Sequence, residues 1–499
     1  MGKISINISG GYMPDFSTEE VTEKGGLVRA NNTLPISGGY YPIRDKATYN
    51  SNAAAGTPIR GVCVQATDGN NYNFLGTSTK LYRFDNSAMS DYTRSVGGAY
   101  NATFWDFALY GNWIIATDYE SVPQIKKIIS DGTNFTALGG TPPNAKYCLI
   151  DHGHLIFAYL NYGGVVYPKQ IMWSGKELPE GMDTASPTDL ATGADSQEFP
   201  EMDGVITGLA RIGNGWAIFA ERSITSASYM GGGFTFTFQI NAIKNVGCFF
   251  PGSLISVGDR AFFWSRDSMW ELSSSGLKEI GQNVKRTVMQ SLNLNQTGKI
   301  VAWPDMTNSI IHWLYVTTSS TSPDNIFSYN WAEEKATTAS ITAFTGMQGI
   351  TGGVVIDSMT AANGYPVINS MNNLIDTYNA GNNLQTIVID SSDSKAKTLT
   401  GDQLTAEFET GEVQDAEAVT MVKKAYIPVE GLTGISVVTP KHRYSLIDAQ
   451  TSGNTSSIKS DGVADIRVTN RRHAINFTIK DFTKVGKTIH LEVEQSGGR

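Results

Sequence analysis

The sequence predicts an all-β protein: a β-propeller of six or seven blades with a C-terminal β-sandwich domain. Three observations carry that expectation. Glycine supplies 51 of 499 residues and proline only 17, so turns are frequent without a collagenous or disordered composition. Charged residues make up 17%, below the typical ~25%, while Asn, Ser and Thr are abundant. The third observation is a unit that recurs in fixed order: a β-rich run, a tight Gly/Asn/Asp turn, an apolar run, a short polar loop and an alternating run.

The first copy spans 59–67, turns at Asp68-Gly69-Asn70, and continues through 71–75 and 80–84. The second has 105–110, the turn Gly111-Asn112, then 113–116 and 124–128. The third has 147–150, the turn His152-Gly153-His154, then 155–158 and 169–173. The fourth runs 206–212, turns at Gly213-Asn214-Gly215, then 216–219 and 223–227. The fifth pairs 254–257 with 261–264 around Gly258-Asp259 and adds 268–272. The sixth uses 300–303, Thr307-Asn308, 310–313 and 325–329. The seventh is read at 354–356, Asn363-Gly364, 365–368 and 373–378.

Turn positions 69, 111, 153, 213, 258, 308 and 363 lie 42, 42, 60, 45, 50 and 55 residues apart. A four-stranded blade takes ~40–50 residues, so the period fits a propeller with some longer loops. One blade alone leaves both faces of its sheet in water, whereas radial stacking buries them. A pair of β-sandwiches whose hairpins recur by chance explains the constant order less well. A terminal strand that completes a blade leaves six and seven blades both open.

The polar stretch 379–400 reads as a linker. Beyond it, alternation resumes at 405–408, 418–429, 435–439, 464–468, 473–479 and 487–494, the pattern of a compact β-sandwich. The expected division is therefore 1–55 as an arm leading into the propeller, 56–385 as propeller, and 400–499 as the sandwich.

Lys plus Arg total 38 against 47 Asp plus Glu, a net charge of −9, which excludes a protein built to grip nucleic acid by neutralising phosphates. It leaves room for one that DNA slides past. Residues 401–499 carry 12 basic and 13 acidic side chains, so neither half is a basic binding module. Cys63, Cys148 and Cys248 are too few and too scattered for a disulfide framework and read as buried thiols of a reducing cytoplasm. The N-terminus Met1-Gly2-Lys3-Ile4-Ser5-Ile6 lacks the apolar core of a signal peptide, and Ile6 stands where a myristoylation signal wants Ser or Thr. No apolar run approaches the ~20 residues of a membrane span.

Cys148, Asp151, His152 and His154 fall within seven residues, as zinc ligands do, yet they straddle a hairpin turn whose equivalents carry no ligands. A plain turn is the better reading. Gly486-Lys487-Thr488 resembles the end of a phosphate loop, but Asp481 replaces the required first glycine and the context is strand. Gly231-Gly232-Gly233 has no helix to aim at a phosphate and reads as turn flexibility. Asp106, Asp118, Glu221, Asp259 and Asp267 are candidate carboxylates for glycoside cleavage at a propeller mouth, where two on inner strands would form an acid/base pair. No sequence box specific to such enzymes accompanies them, and six histidines offer no Ser-His-Asp set. No catalytic, cofactor-binding or metal residue is assigned, no cofactor is expected, and a non-enzymatic protein is the expectation.

The stretch from Leu27-Val28-Arg29-Ala30-Asn31 through Gly38-Gly39-Tyr40-Tyr41-Pro42-Ile43 resembles a phrase of short-tailed (podoviral) bacteriophage tail proteins, in which Gly-Gly-Tyr-x-Pro precedes the first propeller strand. Residues 246–264 resemble a strand pair of that family's middle blades, with Gly281-Gln282-Asn283-Val284 following. Residues 466–475 are similar to the closing segment of packaged-DNA stabilisation proteins, also called tail hub or nozzle proteins. The resemblance implies a structural protein of the virion tail, assembled in the host cytoplasm as a homohexameric ring below the portal and adaptor. It further implies tail fibre or spike neighbours and double-stranded DNA passing without sequence-specific binding, with the genome retained until ejection. Trp303, Trp331, Tyr40 and Tyr41 are then candidate subunit contacts. The alternative from another class is a propeller that binds or hydrolyses glycans.

Overall fold

The computed structural model describes residues 2–129, 132–177, 193–231, 234–351, 383–414 and 419–495. Seven antiparallel sets of four strands make up the propeller's seven blades, six as separate four-stranded sheets and the sixth in chain order as the start of a larger sheet. Blade 1 runs Pro58–Gln65, Asn71–Thr77, Leu81–Phe84 and Met89–Asp91. Blade 2 is Asp106–Tyr110, Trp113–Thr117, Gln124–Lys127 and Thr136–Ala137. Blade 3 is Asn144–Asp151, His154–Tyr162, Val165–Trp173 and Asp195–Glu198. Blade 4 is Ile206–Ile212, Gly215–Ala220, Ser223–Tyr229 and Phe236–Lys244. Blade 5 is Ile255–Val257, Arg260–Trp264, Met269–Ser273 and Gly276–Glu279. Blade 6 is Val301–Asp305, Ile310–Tyr315, Asn325–Asn330 and Lys335–Ala339.

Blade 7 takes three strands, Thr345–Thr351, Asn383–Ile389 and Lys395–Thr398, from late in the chain, and its outer strand, Ala47–Ala53, from the beginning. The seventh repeat read at 354–378 lies outside the described residues. The linker expected at 379–400 is corrected: Asn383–Ile389 and Lys395–Thr398 within it are the second and third strands of this blade. Its apolar segment 384–389 was masked by polar flanks and by a long interval after the first strand.

First strands of neighbouring blades touch around the axis, blade 7 against blade 1 included, so the ring is closed. The driving force is visible seam by seam. One apolar cluster fills each of the seven gaps between blades, from Phe74, Trp105 and Ile114 between blades 1 and 2 to Leu75, Met347 and Ile387 between blades 7 and 1. Buried indoles also tie seams through hydrogen bonds: Trp105 Nε1 donates to Thr77 O (2.8 Å) and Trp313 Nε1 to Ser253 O (2.9 Å). At the seam between blades 6 and 7, Trp303 lies so close to Gly346 that a Cβ there would stand 2.6 Å from the ring.

The second unit draws on both ends of the chain. One sheet orders Gly2–Asn7, Thr488–Gln495, Thr420–Tyr426 and Val463–Asn470. Another contains Leu27–Asn31, Ala406–Thr410, Arg472–Ile479 and Val437–Arg443. Both feed one core that includes Ile6, Leu27, Phe408, Val422, Ile466, Phe477 and Leu491. The period-2 pattern places its apolar residues inside: Ala464, Ile466 and Val468 are buried while Asp465 and Arg467 face solvent. The first 55 residues are therefore more than an arm into the propeller, because their strands are built into both units. Asn31 also pairs in parallel with Thr338 at the edge of blade 6, so one hydrogen-bonded sheet runs from that blade into the second unit.

Candidate functional site

The first strands lie against one another around the axis. A cavity of about 190 Å³ is lined by Arg60 of blade 1, Phe104, Asp106 and Phe107 at blade 2, Tyr147 and Cys148 of blade 3, Thr207 of blade 4 and Ser256 of blade 5. A second cavity, about 220 Å³ and more apolar, is bounded by Pro58, Thr103, Val301 and Phe344 where the first strands begin.

Strand alternation brings one charge pair into the axial cavity. Arg60 Nη1 lies 3.4 Å from Asp106 Oδ1, while Asp106 Oδ2 accepts the Cys148 N–H at 3.0 Å. One carboxylate thereby links three blades. Burial pushes the Asp106 carboxyl up, against the opposing pull of Arg60. Arg60 makes no hydrogen bond through its guanidinium among the described residues. The Tyr147 hydroxyl, also buried, has no hydrogen-bond partner among the described residues. Burial raises the thiols as well, Cys63 to about 11, Cys248 to about 12 and Cys148 well above its ordinary value, so none is poised as a thiolate nucleophile.

Of the five candidate carboxylates only Asp106 belongs to a first strand. Asp118 follows the second strand of blade 2, accepts the Ser121 N–H at 2.8 Å and is pushed up by burial. Glu221 stands beside Gly204 in the turn after the second strand of blade 4. Asp267 occupies the equivalent turn of blade 5 and accepts the Ser265 hydroxyl at 2.6 Å. Asp259 lies in the first turn of blade 5, on the opposite rim, 3.8 Å from Arg260. Asp106 is the one carboxylate lining the axial cavity among the described residues, so these five candidates form no acid/base pair there. The sequence missed Arg60, because nothing in a strand pattern says which cation will face a carboxylate on the next blade.

The Cys148–His154 stretch forms a hairpin turn. His152 and Gly153 take φ of 45° and 80°, the left-handed pair of a two-residue hairpin connection. The His152 ring pairs with Asp151 (2.8 Å) and stacks on Tyr229, whereas His154 Nδ1 meets the Ser174 carbonyl at 2.8 Å. Among the described residues no three metal-binding side chains converge. Gly486 links two strands, with Thr488 paired to Asn7. Gly231 lies in a turn with φ 70°, and Gly232 and Gly233 fall outside the described residues. The aromatic candidates for contact surfaces are corrected in part. Tyr40 and Trp303 are core residues at 2% exposure, Tyr41 is half-buried, and Trp331 packs on Phe262.

Fold and axial geometry define a β-propeller protein. No family model and no curated protein sequence matches the chain. Among solved structures it is similar to YCF48 bound to D1 peptide, at 9% identity and a TM-score of 0.35, covering 60% of this chain and 85% of that one. It is also similar to the Myceliophteria thermophila Cps50 (Swd1) β-propeller domain, at 8% identity and a TM-score of 0.40, covering 70% of this chain and 99% of that one. No helix among the described residues is long and apolar enough to cross a membrane.

Proposed function

We propose that the chain is a structural subunit of a short-tailed phage tail, a hub or nozzle protein assembled as a six-membered ring below the portal and adaptor. The observation that carries this reading is the chain order of the three resembling segments, 27–43, 246–264 and 466–475. The physics is compatible. An acidic wall repels phosphate at close range, so DNA is not held by counterion release and slides freely. Side chains narrow the propeller axis to cavities of about 190 and 220 Å³, too small for a duplex, so in this reading the DNA path runs between subunits. Head-to-tail contacts that close on rotation give rings, and the sheet shared by blade 6 and the second unit supplies a stiff block for them. Exposed apolar side chains, Phe234 (81%) and Ile447 (94%) among them, are better contact candidates than the buried aromatics.

Mixing the purified protein with a portal–adaptor complex and imaging the product by electron microscopy tests the proposal. Ring density below the adaptor is expected; a chain that never joins the complex overturns it. A second reading, a glycan-binding propeller, is favoured by one observation, the charge pair in the axial cavity. Its hydrolytic version predicts reducing ends released from host polysaccharide and abolished by Asp106→Asn, with Glu221→Gln, outside the cavity, leaving the release intact.

A further inference from the structure

We propose that the axial cavity is a binding site for a small, uncharged polyol of monosaccharide size. This deepens the glycan-binding reading, on which it rests, and is independent of ring assembly. Arg60 presents unused N–H donors and Asp106 carboxylate lone pairs only 3.4 Å from them. Both are accessible from the cavity, with side-chain exposures of 28% and 16%. Neighbouring hydroxyls suit that juxtaposition, because each both donates and accepts: one gives its hydrogen to Asp106 while the next receives from Arg60.

Charge decides the class. Arg60 and Asp106 compensate each other, so an anionic guest meets the Asp106 carboxylate and a cationic guest meets the Arg60 guanidinium, each repelled at contact distance. Size limits the guest. A cavity of about 190 Å³ lies below the ~300 Å³ at which drug-sized pockets begin. Phe104 and Phe107 supply apolar wall for the C–H face of a sugar, and the exposed Ser256 adds a hydroxyl.

Isothermal titration of the intact chain with D-glucose, D-galactose and glycerol tests this, with acetate and methylammonium as charged probes. At least one neutral probe is expected to bind saturably in the millimolar range, as small ligands with few contacts do. Arg60→Met should weaken that binding about tenfold, a loss of one hydrogen-bonded contact. Because Arg60 also bridges blades, Ser256→Phe is the second variant: it fills the cavity from an exposed position and should abolish binding with the melting temperature unchanged. Absence of saturable binding by all three neutral probes overturns the proposal, as does binding that survives Ser256→Phe or acetate binding more tightly. Retention of host polysaccharide by the Ser256→Phe chain would leave the broader glycan reading standing while this site fell.

Discussion

Blades 2 and 7 are the same four-stranded sheet made in two ways. Blade 2 is written in one stretch, with neighbouring strands joined by short connections such as Gly111-Asn112. Blade 7 gathers strands from both ends of the chain and cannot exist until Lys395–Thr398 has met Ala47–Ala53. Local hairpins need little loop closure, whereas the closing seam brings distant segments together before any contact rewards them. The molecule reinforces that seam with charge. Asp390, almost fully buried, takes hydrogen bonds from Lys46 at 2.7 Å and from Lys397, and this holds its carboxyl down at about 2.

The largest break comes from deleting residues 1–53. Blade 7 loses its outer strand and the second unit loses strands from its sheets, so no cooperative melting transition is expected by circular dichroism. Deleting the outer strand of blade 2, only Thr136–Ala137, should leave a folded chain. If both deletions melt alike, closure is not the special step.

Next come the seams themselves. Trp303→Ala at the closing side and Trp105→Ala between blades 1 and 2 each remove a buried indole, at a cost of about 3–5 kcal/mol in denaturant unfolding. A much smaller loss at Trp303 would show that the closing seam is loosely packed.

Asp390→Asn should cost about 2 kcal/mol at neutral pH, the free energy of a carboxyl held nearly two units below its ordinary value. The sign is fixed: a depressed folded-state value stabilises fully above about pH 4, and the contribution disappears as pH falls toward 2. Melting temperatures of the two chains should therefore converge over that interval. A gap that persists at pH 2 would rule out the charge latch.

The smallest effect is expected on the surface of the second unit, between Leu27–Asn31 and Ala406–Thr410. Arg29 and Glu407 pair at 3.1 Å but are 53% and 36% exposed, so Arg29→Ala should change stability by less than about 1 kcal/mol. A larger loss would mean that these two strands depend on the surface pair more than on their backbone pairing.

Six blades were legible because each carries its signal within a few dozen residues. The turn at Gly258-Asp259 and the run 261–264 mark blade 5 as plainly as Gly111-Asn112 marks blade 2. The strands of residues 406–495 were legible too, since alternation such as that in Val463–Asn470 states which face is buried. Blade 7 was misread, because its evidence is split across the chain and the apolar segment 384–389 lies in polar surroundings. The axial site was half legible. Asp106 stood out as a carboxylate, but its partner Arg60 is 46 residues away on another blade.

Alone, the sequence determined the repeating strands and turns, since alternation and turn chemistry act between near neighbours. Tertiary structure decided the number of blades, the outer strand that closes the ring, and which charges meet on the axis. Those depend on pairings between distant residues, and the free energy of such a pairing is set by the geometry of the closed ring, which no local pattern encodes.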